Sequence, residues 1–80
     1  NFLPQAKLYP NPNDGCFTIE IPERYIGSEM IVMDGIGRPL ERLIIQETKT
    51  NIDIRKRPKG VYRVHIKSQQ GIKTIPLIKQ

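Results

Sequence analysis

The sequence predicts an all-β fold, an Ig-like β-sandwich of about seven short antiparallel strands, from three observations. Apolar residues recur with period two, and no window supports a helix of ten residues or more. Strand-like runs follow one another at roughly the 8 to 12 residue spacing of a sandwich or barrel. Between them stand Gly, Pro, Asn and Asp, residues that tolerate the φ angles of tight corners.

Residues 6–9 start the series. The stretch LYPNPNDGCFTIEI (8–21) packs two prolines, two asparagines and an Asp-Gly against a run in which Phe17, Ile19 and Ile21 alternate with polar or small residues. It reads as a corner that brings the first strand into register with the second, over 16–21. Strands over 29–34 and 40–45 flank DGIGRP, a hairpin connection in which Asp34 is suited to satisfy turn amides. A fifth run covers 50–54. In the sixth, 61–68, Tyr62, Val64 and Ile66 form the expected core face, and Arg63, His65 and Lys67 share the other with Val61. The turn QQG (69–71) leads into a last strand over 72–79, where Pro76 removes a ladder donor and marks an edge. An edge strand is open to a partner by strand addition or side-chain display, and to a second copy as a homodimer.

Eighty residues make one domain, which buries only roughly 60% of its unfolded surface. Residues 6–80 are read as that domain and 1–5 as a linker remnant from an upstream segment. Asn1-Phe2-Leu3-Pro4 lacks an initiator Met and a signal-peptide pattern, so a piece of a longer chain is expected. The longest aliphatic run, Leu43 to Ile45, is far short of the roughly 18 residues of a membrane span. A single cysteine excludes an internal disulfide; Cys16 is out of phase with Phe17, Ile19 and Ile21 and reads as a structural thiol. The net charge of +5 favours acidic partners without naming one.

Chemistry is sparse. One His, two Ser, one Cys and eight scattered carboxylates do not form a catalytic cluster, so no enzyme is expected. His65 alternates with Arg63 and Lys67 on a solvated strand face, and no spacing supplies further metal ligands. Gly35 and Gly37 lack the third Gly and the following helix of a dinucleotide loop, and no cofactor is expected. The run RKRPKG sets Arg55, Lys56, Arg57 and Lys59 together for contact with polyanions. No aromatic is interleaved with them to stack on a base, which argues against nucleic acid.

Three landmarks stand in order: LYPNPNDGCFTIEI at 8–21, KGVYRVHIKS at 59–68 and GIKTIPLIKQ at 71–80. With Asp34, Gly37 and Arg38 between them, they resemble the type A C-terminal sorting domain of type IX secretion cargo from Bacteroidetes, over nearly the whole chain. The resemblance implies an Ig-like sandwich that is not an enzyme, carried behind an N-terminal cargo in the same chain. It implies recognition by the type IX translocation machinery, and commonly removal by a sortase-like peptidase as cargo is attached to surface lipopolysaccharide. The expected location is across the outer membrane, at the cell surface or outside the cell. In this reading Gly60 permits the turn into the sixth strand, Tyr62 anchors that strand, and Lys73, Leu77, Ile78 and Lys79 display the terminal signal. The pattern departs before Gly60, where the family often has a small polar residue and Leu-Pro but this chain has Arg55 and Arg57 ahead of Pro58. That loop is expected to be a charged surface lacking an apolar plug. The competing reading is an Ig-like adhesion or glycan-binding module that uses the basic loop.

Overall fold

The structure, a computed structural model, describes residues 6–69 and 71–80. The expected linker at 1–5 and the middle residue of the 69–71 turn lie outside the described residues. Every period-two run forms a strand: β1 Lys7–Tyr9, β2 Cys16–Glu20, β3 Glu29–Met33, β4 Pro39–Ile44, β5 Lys49–Asp53, β6 Gly60–Ser68 and β7 Gly71–Lys79. They pair antiparallel into a three-stranded sheet, β1-β2-β5, and a four-stranded sheet, β4-β3-β6-β7. This is the all-β, Ig-like sandwich that the alternation predicts.

Alternation decides what is buried. Phe17 and Ile19 on β2 and Ile52 on β5 face Met30, Val32, Val64, Ile66 and Leu77 from the other sheet, and all belong to one core cluster. The last five are fully buried. Each such side chain contributes roughly 1.5–3 kcal/mol on burial, so a small chain rests on about a dozen of them. A single 3₁₀ turn, Glu23–Tyr25, which the strand pattern does not announce, drops Tyr25 into the same core.

Prolines take the places the ladder leaves them. Pro39 opens β4, an edge strand, where the register with β3 shifts between Val32 and Met33. Pro76 lies in β7, the other edge of that sheet, as its missing donor predicts.

Tyr62 is buried, and its hydroxyl donates to the carbonyl of Pro58, four residues upstream at the corner into β6. This is the tyrosine-corner arrangement of Ig-like sandwiches, and it ties the basic loop to the core. Gly60, between the two, has φ +150°, a conformation side chains rarely adopt.

Replacing Tyr62 by Phe keeps the ring and removes only the corner bond. A loss of about 1 kcal/mol, lowering Tm by about 4–8 °C, is expected in thermal unfolding. An unchanged Tm would mean that the bond holds nothing.

Candidate functional site

One end of the sandwich gathers most of the residues the sequence singles out. The β1–β2 corner, the β3–β4 and β5–β6 loops and the end of β7 meet there. Cys16 pairs with Asp53, the amide of Ile54 donates to the Gly15 carbonyl (2.7 Å), and Gly60 pairs with Lys79.

The corner does more than set register. After β1 the chain crosses from the three-stranded sheet to the outer edge of β7. The Asn13 amide donates to the Ile78 carbonyl (3.0 Å) and the Gln80 amide to the Asn13 carbonyl (2.7 Å), a parallel bridge beside Lys79. Asn11 imitates a strand with its side chain: Nδ2 donates to the Pro76 carbonyl (3.1 Å), and Oδ1 accepts the Ile78 amide (3.0 Å). Asn13 is itself buried, its Nδ2 donating to the Pro10 carbonyl (2.9 Å) and its Oδ1 accepting from the Gly15 amide (2.8 Å). At Gly15, with φ +110°, a Cβ would stand 2.7 Å from Lys79 Cε and 2.8 Å from Arg55 Cα, so the stem of Lys79 lies across a residue that must be glycine. Residues 11–15 thus form a clasp on the terminal strand.

The clasp changes two expectations. The edge of β7 is not open over Pro76 to Gln80, where Asn11 and Asn13 already take its donors and acceptors. Leu77 and Lys79 are not displayed: their side chains point inward, Leu77 fully buried opposite Tyr62 and Lys79 only 9% exposed. Of the last three strand residues, Ile78 alone points out, half-exposed beside Val61, because side chains alternate along a strand. Lys73, paired with Ile66, sits toward the far end of β7, apart from the others.

The basic loop divides into a paired and an unpaired part. The Arg55 guanidinium bonds both carboxylate oxygens of Asp53 (3.1 and 3.0 Å), and the Arg55 amide donates to Oδ1 (3.0 Å). Lys56, Arg57 and Lys59 are exposed and form no ion pair among the described residues. Lys56 and Arg57 line an open cleft with Leu40, Glu41, Asp53 and Ile54, between the edges of β4 and β5. The loop is the charged surface that the departure at Arg55 and Arg57 predicts, and Ile54 just ahead of it supplies the buried apolar residue. Asp34 accepts from the amides of Ile36 (3.1 Å) and Arg38 (2.9 Å) and from Arg38 Nε (2.8 Å), the turn role expected of it.

Sequence reasoning missed Asn11, Asn13 and Gly15 as partners of the terminal strand. The asparagines stand out in NPNDG, but their partners lie more than sixty residues away, and no local pattern encodes that.

The Arg55 side chain, then its amide, lower the Asp53 carboxyl from its ordinary value of 3.8 to about 2. A depressed carboxylate contributes stability that is fully present above 3.8 and is lost as pH falls toward 2. Replacing Arg55 by Ala should move the Asp53 midpoint back toward 3.8 in an NMR titration of the carboxyl carbon; a midpoint left near 2 would assign the shift to something other than this pair.

No curated protein matches the chain. A family model does, over residues 7–80, from the start of β1 past the end of β7. That span takes in the clasp, the tyrosine corner and the terminal strand, in agreement with the type IX resemblance of the three landmarks, and the chain belongs to the family of secretion system C-terminal sorting domains.

Proposed function

We propose that the folded domain is the address by which the type IX machinery recognises a cargo preceding it in the same chain, and that it performs no catalysis of its own. The observation that carries this reading is the family match across residues 7–80. The geometry supports recognition of a folded module rather than of a loose tail, since Tyr62 and Leu77 lie in the core and Lys79 packs over Gly15. In this reading Gly60, Tyr62, Leu77 and Lys79 act by holding the last two strands in place, and Ile78 meets the partner directly. Lys73 adds a cation farther along β7. The cargo then crosses the outer membrane to the cell surface or the medium, where a sortase-like peptidase removes the domain and attaches the cargo to lipopolysaccharide.

A fluorescent reporter with a Sec signal in front and residues 1–80 behind tests this in a type IX-competent bacterium and in a strain lacking the translocon. The reporter is expected on the surface or in the medium of the first, trimmed of the domain, and in the periplasm of the second. A reporter that stays in the periplasm of both strains, with its domain folded and protease-resistant, would refute the reading.

A further inference from the structure

The two outer faces of the sandwich differ. On the three-stranded sheet, outward side chains satisfy one another: Thr18 Oγ1 donates to Asn51 Oδ1 (2.9 Å), and the Tyr9 hydroxyl donates to Glu20 (2.9 Å). Glu20 stands opposite Lys7 and Lys49 across the ladders, one carboxylate between two lysines. The four-stranded sheet exposes more apolar surface. Of seven large apolar side chains exposed among the described residues, four stand on its outer face: Ile44, Val61, Ile72 and Ile78. Between these apolar ends lie Arg63 and Lys67, exposed and without an ion pair among the described residues. The only carboxylate placed among them, Glu29, already faces Arg42 (3.5 Å).

A cationic row flanked by exposed Ile and Val side chains is what a complementary partner would match with apolar groups and carboxylates. Three classes of occupant could cover such a face. A second copy laid face to face would set two like-charged rows against each other, at a cost in electrostatic free energy. A bilayer surface is usually met with Trp and Tyr at the interface, and among the described residues no Phe, Tyr or Trp stands on this face. A protein surface with acidic groups flanked by apolar ones fits both features. β6 and β7, nine residues each, give the face its length.

We propose that the outer face of the β4-β3-β6-β7 sheet, with Arg63, Lys67 and the Val61–Ile78 pair, docks on a surface of the protein machinery that exports this domain, one that offers acidic groups flanked by apolar ones. This rests on the function proposed above and names the chemistry of its recognition face. All these side chains point away from the core, so they can be changed without opening the fold.

The test replaces Arg63 and Lys67 by Glu in the export reporter, and in a second variant Val61 and Ile78 by Ser. The controls are Thr18→Glu and Asn51→Glu on the opposite face, and every variant is checked for cooperative thermal unfolding. Both face variants should export at least about tenfold less than the unaltered domain, and the controls at its level. Folded face variants that export normally would overturn the proposal while leaving the domain's role as address intact. Failure of the unaltered domain to export would instead defeat the function itself. Flotation of the purified domain with vesicles of phosphatidylcholine and phosphatidylglycerol supplies the other arm. Absence of binding agrees with a protein partner, and binding lost on charge reversal would replace that partner with a lipid surface.

Discussion

The hydrogen bonds from Asn11 and Asn13 to the outer edge of β7 are the constraint on which the arrangement of β7 and the loops around its end depends. An edge strand with unpaired donors and acceptors invites pairing with any other strand, and proteins manage that hazard by covering it. Here the cover comes from the chain's own beginning. The same few residues join the two sheets, since β1 belongs to one and the clasp to the edge of the other. The terminal strand is therefore held on both sides, by the ladder to β6 and by the clasp.

With the edge closed, the recognition proposed for this domain falls to side chains rather than backbone. Strand alternation sends Leu77 and Lys79 inward and Ile78 outward, so the end of the chain is partly core and partly surface. Tyr62 does for β6 what the clasp does for β7: its ring packs opposite Leu77 and its hydroxyl pins the loop that precedes it. The charges follow the same division. Asp34 and Asp53 each fold an arginine back onto its own loop, while Arg63 and Lys67 form no ion pair among the described residues. Charge that shapes loops and charge available to a partner are thus carried by different residues.

Much of the fold was legible because period two is a local signal. Tyr62, Val64 and Ile66 can be placed in the core from their spacing, Pro76 marks its strand as an edge through one missing donor, and Asp34 declares a turn by its position before Gly35 and Gly37. The site was only partly legible. The basic loop at 55–59 follows from composition, and Ile78 is marked only by the resemblance, together with Leu77 and Lys79. The burial of Leu77 and Lys79 could have been read from the same alternation once the inward phase of β7 was fixed by its pairing with β6. The clasp could not, for it depends on how two ends distant in sequence meet in space, and hydrogen bonds from Asn11 and Asn13 are as compatible with a plain turn as with a long-range contact. For the same reason, which sheet face carries Arg63 and Lys67 beside the exposed Val61 and Ile78 becomes visible only when strand order is known.

The central claim is that the N-terminal clasp holds the end of β7 in place, and the amide of Ile78 reports on it most directly, because that amide's bond is to Asn11 Oδ1. Hydrogen exchange should be measured in the unaltered domain and in Asn11→Ala. The account predicts that the Ile78 amide exchanges faster by about tenfold or more in the variant, while amides of the central strand β3, such as Val32, keep their protection. An Ile78 amide that exchanges as slowly in Asn11→Ala as in the unaltered domain would contradict it.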